Sequence, residues 1–177
     1  MFRRSAAVVV ALAVTLGATA CQPEPTPTPT GPAFASEDEA FAAAEETYRA
    51  YVDALNQVDL SDPETFEAVY AWTTGEANAG ARKSFSEMHA EGWTVSGVSA
   101  FDGFTPSAFS PSTPTSIVTA EVCLDVSNVD VTDASGQSVV PESRKDRQPA
   151  IVTFAAADSA TSLAISTSEA TESAACS

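Results

Sequence analysis

Basic residues are scarce in this sequence. Its 177 residues include eight Lys and Arg and one His, against 24 Asp and Glu, for a net charge of −16. So acidic a surface repels phosphate backbones, which excludes nucleic acid as a partner. It also disfavours adsorption to anionic lipid headgroups, so any tie to a membrane has to be covalent. Cysteine is nearly as scarce, with three residues, none of them in a Cys-x-x-Cys pair, and the single imidazole, His89, has no neighbouring Cys or His. A metal centre therefore has no local ligand set. The sequence contains no phosphate-binding glycine loop, G-x-S-x-G elbow, zinc-protease helix or calcium loop. It implies no cofactor and no catalytic constellation. Its longest apolar run, residues 5–20, is shorter than the ~20 residues that cross a bilayer comfortably.

That short run reads as an export signal. Met1-Phe2-Arg3-Arg4 is a basic start, Val8 to Leu16 an apolar centre, and Ala18-Thr19-Ala20 a small-residue exit before Cys21. These three parts define a secretory signal. Small residues before a Cys resemble a bacterial lipobox, in which the Cys is acylated and becomes the mature N-terminus. Ala18 departs from the branched apolar residue usual at that position, and Ala18-Thr19-Ala20 also fits plain secretion. Both readings cleave between Ala20 and Cys21; the third alternative is an uncleaved anchor. Loss of Arg3 and Arg4 with the signal takes the net charge to −18.

Residues 21–33 favour the lipid reading. From Gln22 to Thr30 proline alternates with polar residues. Proline fixes φ and removes amide donors, so this stretch joins neither helix nor sheet. It reads as an extended spacer of ~3.1 Å per residue. The expected organisation is a signal at 1–20, a tether at 21–33 and a domain at 34–177, held on the extracytoplasmic face of the cell membrane through lipid on Cys21. Once Cys21 is set aside, Cys123 and Cys176 remain. In an oxidising compartment such a pair reads as a disulfide. Two free thiols and a metal site are the other readings.

The domain opens with helical periodicity. Ser36 followed by Glu39 is a capping box, and Phe41, Ala44, Tyr48, Val52 and Leu55 recur at helical steps, predicting a helix over 36–58. Asp62-Pro63 starts a second, with Phe66, Val69, Tyr70 and Thr73 on one face. A third is predicted over 76–90, stopped by Gly92. Alternation follows: a bent strand over 93–100, a Pro- and Ser-rich loop over 103–115, a clear strand over 117–126 that continues toward Val131, a turn over 133–136, and strands over 150–156 and 162–168. Helices followed by antiparallel strands indicate an α+β domain, with N-terminal helices packed on a curved antiparallel sheet.

Three strings carry a resemblance: residues 41–72, Glu121-Val122-Cys123-Leu124-Asp125-Val126, and Arg144-Lys145-Asp146-Arg147-Gln148-Pro149. They resemble secreted lipoproteins of actinobacteria whose exported part looks like the nuclear transport factor 2 fold, shared with ketosteroid isomerase and polyketide-cyclase-like proteins. The resemblance implies a cone with a concave pocket between sheet and helices. It does not imply catalysis, because that fold hosts enzymes, binding modules and assembly domains.

The candidate pocket residues are Tyr48, Tyr51, Trp72 and Trp93. An isomerase-like site needs a general base and an oxyanion donor in one apolar cavity, for which Tyr48 or Tyr51, Asp102 and Asp125 are the available groups. Packing is the plainer role for these aromatics, and solvation for the carboxylates. His89 falls at a helix C-terminus, where a cation is favoured. Arg144, Lys145 and Arg147 are half of the mature chain's basic residues. They read either as an anchor for an anionic partner or as a solvated, internally paired loop. The expected function is a lipid-anchored binding or assembly module of the cell envelope, with an envelope protein or a small apolar ligand as partner. The alternatives are a small-molecule-binding lipoprotein and an isomerase- or cyclase-like enzyme.

Overall fold

The computed structural model describes residues 34–112, 116–172 and 176. The expected signal, Cys21 and the proline spacer lie outside them. Helix α1 spans Glu37–Leu55, α2 Phe66–Tyr70 after a single 3-10 turn at Pro63–Thr65, and α3 Gly75–Ala90. Six strands follow: β1 (Thr94–Ser96), β2 (Ala100–Ser110), β3 (Ile117–Asp125), β4 (Asp130–Thr132), β5 (Arg147–Ala156) and β6 (Leu163–Ala170). The main sheet is antiparallel in the order β2-β3-β5-β6, and β1 pairs with β4 in a separate ribbon. This is the α+β architecture expected, helices on a curved antiparallel sheet.

The start of α1 follows its sequence signal. Ser36 Oγ accepts from the Glu39 amide at 3.2 Å, and the Glu39 carboxylate accepts from the Ala35 amide at 2.7 Å. The helix ends at Leu55, three residues before the predicted end at 58. Asn56 caps it, and its side chain exchanges two hydrogen bonds with the Ser99 backbone at 2.9 and 2.7 Å. The join between β1 and β2 is thereby clamped to the end of α1.

The buried face of α1, with Ala40, Ala44, Tyr48 and Val52, lies on the inward side of the sheet. Strand period explains which residues it meets. Val118, Ala120 and Val122 share one face of β3, and Val118 and Ala120 stand opposite Phe154 and Val152 of β5. Leu163 and Ile165 of β6 complete the layer, and Phe101, Phe104 and Phe109 of β2 close its other side. Phe34, the first residue described, is buried with its ring edge-on to Phe109 at 6.3 Å. A second cluster fills the space under the short helices, centred on Leu60, Phe66, Val69, Tyr70 and Phe85.

Two strand expectations are corrected. The predicted loop over 103–115 is in large part β2, which runs from Ala100 to Ser110. Its loop-like residues are accommodated: Gly103 (φ +67°) lies where the register with β3 shifts, and Pro106 lies on an edge strand. Bulges and edges are where a sheet tolerates these residues. The predicted bent strand over 93–100 is instead two strands in different sheets, broken at Gly97. A Cβ there would lie 1.7 Å from the Asn128 carbonyl oxygen, and φ is +83°. Likewise β3 stops at Asp125, and Val131 belongs to β4.

Cys123 points to the face of β3 opposite the core, yet it is fully buried. Cys176 covers it: the two form a disulfide with Cα atoms 5.2 Å apart, 53 residues apart in sequence. Arg147 reinforces this junction. Its guanidinium donates to Asp102 at 2.6 Å and to the Cys176 carbonyl at 3.3 Å, and lies 3.6 Å from Asp125.

Candidate functional site

A concavity opens between α1, α3 and β6, and its origin is local. Thr73 and Thr74 run alongside β6, with the Ile165 amide donating to Trp72 O at 2.9 Å and the Thr74 amide to Ile165 O at 2.7 Å. At Gly75 (φ +52°) the chain turns into α3. Asn78 locks that corner by donating to Tyr70 O, Thr73 O and Thr73 Oγ1 at 2.9 to 3.4 Å. Beyond this turn the helix departs from the strand, and a cleft of about 490 Å³ is left between them. That size lies within the ordinary range for small-molecule sites.

Leu55, Ala77, Ala81, Phe85 and Ile165 supply its apolar lining. Glu76 and Ser84 of α3, with residues 167–169 of β6, supply the polar lining; of the latter, Ser168 stands opposite the buried Val152 and faces inward, and Glu169 stands opposite the exposed Ile151 and faces outward. Gly80 faces the cleft from the middle of α3, and a Cβ added there would meet nothing within 4 Å. Glycine costs a helix interior about 1 kcal/mol relative to alanine, and the open space beside it means that a large side chain at this position would project into the cleft.

Of the four residues expected to line a pocket, Tyr51 lines this cleft. Burial raises the pKa of its phenol. Its hydroxyl has no hydrogen-bond partner among the described residues. Tyr48, one turn earlier, is 3% exposed within the main core, edge-on to Phe101 at 5.0 Å. Its phenol is likewise shifted upward, by burial first and by Tyr51 second. Trp72 and Trp93 are half-buried against the second cluster, away from the cleft. Trp93 is fixed through its backbone amide, which donates to Met88 O at 3.0 Å.

The acid–base candidates do not converge. Asp102 and Asp125 flank Arg147 on the side of the sheet opposite α1 and do not line the cleft. Hydrogen bonds from Ser127 hold the Asp125 carboxyl below its ordinary range, with a smaller contribution from Arg147. His89 donates through Nδ1 to Leu60 O at 2.7 Å and stands edge-on to Phe66. It ties the loop after α1 to the end of α3. Lys145 pairs with Glu172 and Arg147 with Asp102, whereas Arg144 donates to Val126 O and its buried Nε has no partner among the described residues, so the basic string is paired with acids in part. Glu76, Gly80, Thr167 and Glu169 were not anticipated as site residues from sequence. The one available signal was Gly80, a glycine inside a strong helical pattern.

Fold and cleft together define the class: an α+β domain with helices packed on a curved antiparallel sheet. No family profile matches this sequence, and no curated protein matches it. Among solved structures it resembles the intermembrane-space region of the chloroplast protein ARC6. The two are 14% identical, the match covers 75% of this chain and 96% of that one, and the TM-score is 0.51. A Novosphingobium aromaticivorans protein provisionally assigned as an aromatic ring hydroxylase is also similar. It is 14% identical over 77% of this chain and 96% of that one, with a TM-score of 0.45. At such identity the likeness concerns the fold.

Proposed function

We propose that this protein is a lipid-anchored extracytoplasmic binding module, carried on a proline-rich tether and holding a small molecule in the cleft between α1, α3 and β6. The observation that carries the reading is the cleft itself, with its apolar lining and the unpartnered Tyr51 hydroxyl. A hydroxyl placed among apolar side chains is how small-molecule sites orient a ligand. Export is supported by the Arg3-Arg4 start, the apolar run and the Ala18-Thr19-Ala20-Cys21 exit. The Cys123–Cys176 disulfide fits the same compartment, since such bonds persist where the environment is oxidising. The ARC6 region of similar fold also takes its name from a space between membranes.

An isomerase- or cyclase-like activity has weaker support. The interior under α1 is filled by Tyr48, Val52, Phe101 and Phe154, and the candidate carboxylates lie across the sheet. A general base must come within hydrogen-bond reach of its substrate, and Asp102 and Asp125 do not line the cleft. An assembly role draws on one observation, the exposure of Ile117 and Ile151 on the outer side of the sheet, at 41% and 40%.

The anchor is tested by detergent partitioning of the protein made in a bacterial host that processes lipoproteins. The wild type is expected in the detergent phase and Cys21→Ala in the aqueous phase. A Cys21→Ala protein that stays with the membrane fraction rules the lipid out. The cleft is tested by a fragment screen read by ligand-observed NMR, in which hits on the wild type should be lost in Gly80→Trp.

A further inference from the structure

A second, smaller cavity of about 150 Å³ lies beyond the inner end of the cleft. Leu55 and Phe85 line both, so these two side chains form the partition between the voids. The voids follow one another along the same pair of helices. On α1 the lining passes from Tyr51 through Leu55 to Val58, just past the helix end. On α3 it passes from Ala77 through Ala81 and Phe85 to Met88. Steps of three and four residues keep to one face of a helix. From Ala77 to Met88, at ~1.5 Å per residue, the two voids in line extend over roughly 16 Å of α3.

Polarity changes along this line. The far void is covered by the β1–β4 ribbon, whose directly paired Val95 and Val131 both line it. The one polar residue of its lining is Ser99, whose backbone is bound by Asn56. An apolar cavity of about this volume takes in a benzene ring, and Met88 has the flexibility to repack around a guest. Left empty, such a void forfeits dispersion contacts for its lining. Polar side chains gather at the other end. Tyr51 brings to the cleft a hydroxyl without a partner among the described residues, and Ser84 and Ser168 line it too. No Lys, Arg or His lines either void. An anionic head would find no counter-ion there and would meet the field of a chain of net charge −16. A compact ligand fills the outer cleft alone, whereas a flexible chain passing between Leu55 and Phe85 fills both voids.

We propose that the ligand is a single-chain amphiphile with an uncharged, hydroxyl-bearing head. The head lies at the Tyr51 end of the cleft, and the hydrocarbon chain passes between Leu55 and Phe85 into the cavity under the β1–β4 ribbon. This rests on the small-molecule reading of the cleft given above, and the experiment separates the two. The probes are hexanol, octanol, decanol and decanoate, each below the concentration at which it self-associates. Their affinities for the full exported chain are measured by ligand-observed NMR.

Affinity should rise with each added methylene, and decanol should bind roughly a hundredfold more tightly than hexanol. Val95→Phe, which fills the inner void, should leave hexanol unchanged and cut that ratio to under about tenfold. Val131→Leu is a smaller filler for use if the Phe variant loses its cooperative melt. Decanoate should bind roughly tenfold more weakly than decanol. Gly80→Trp, whose side chain projects into open cleft space, should abolish binding of all four, and Gly80→Leu is the milder block. An affinity that stops rising at hexanol, or a decanol gain that survives the filled void, overturns the chain inference while leaving the cleft a ligand site. Decanoate binding as tightly as decanol overturns the uncharged head. Absence of binding by every probe, or binding that persists in the blocked variants, overturns both the chain inference and the small-molecule reading.

Discussion

Opening the bond between Cys123 and Cys176 is the perturbation whose size the structure fixes best. The two residues are 53 positions apart, and the loop they close contains all of β4, β5 and β6. On a chain-entropy account a closure of that length restricts the unfolded chain by about 4 kcal/mol. The noncovalent ties at the same junction are the exposed Lys145–Glu172 pair and the Arg147 bond to the Cys176 carbonyl, at 3.3 Å each. Neither replaces a covalent closure. Unfolding entropy for a domain of roughly 140 residues converts this loss into a fall in Tm of roughly 14 °C. Cys176→Ser is the variant of choice, because it cuts the bond without hollowing the site of the fully buried Cys123. Scanning calorimetry of the mature chain, with and without reductant, gives the answer. The oxidised wild type should melt well above the variant, and reductant should bring it down to the variant's level. A difference under about 5 °C would show that the tail constrains the unfolded chain far less than the loop length requires. A variant that itself responds to reductant would mean that some other bond had been measured.

Two further outcomes follow from backbone and charge. Gly97→Ala should destabilise by about 3 kcal/mol or more, since it adds a left-handed alanine to a clash with the Asn128 carbonyl; a denaturant midpoint close to wild type would show that the β1–β4 ribbon moves freely. Asp133 is held below the usual carboxylate range by hydrogen bonds from Ser135 first and then Gln137. The stabilisation it gives is complete above its unfolded value, about pH 4, and is lost as the pH falls through its lower folded value. The difference in Tm between wild type and Asp133→Asn should therefore be constant from neutral pH to about pH 5 and shrink toward zero in stronger acid. A gap that widens on acidification contradicts the assignment. The comparison has to be made against a variant, because acid also relieves the self-repulsion of so anionic a chain.

Sequence patterns revealed the elements whose determinants are local. The capping box at Ser36 and Glu39, the stripe through Ala44, Tyr48 and Val52, and the alternation through Val118, Ala120 and Val122 each depend on neighbours a few positions away. They produced α1 and β3 with small errors at the ends. The disulfide needed only a count and a compartment. Strand β2 was hidden because Gly103 and Pro106 carry loop signals, and only its position at the sheet edge makes them acceptable. Gly97 looked like part of one bent strand, because the Asn128 carbonyl that forbids a side chain there is distant in sequence. The cleft was the least legible feature. Its walls come from α1, α3 and β6, and it exists because Gly75 turns the chain away from a strand nearly a hundred residues later. Of the candidate pocket residues Tyr51 lines the cleft, whereas Trp72 and Trp93 serve the second cluster.

The length of α1 has a bearing on how the domain meets its surroundings. The proposed tether joins the folded part at Phe34, packed under Phe109 just before the helix begins. The cleft lies beside the helix's last two turns, at Tyr51 and Leu55. Nineteen residues at ~1.5 Å each separate these ends by roughly 28 Å. The helix thus acts as a strut between root and mouth. With the root near the bilayer, a strut standing upright lifts the mouth clear of the headgroups, into the layer where solutes approach from outside. On the proposed anchoring, the same rod lying flat would bring the cleft down among the headgroups, so the tilt of this helix would decide whether the cleft samples the surrounding medium or the membrane surface.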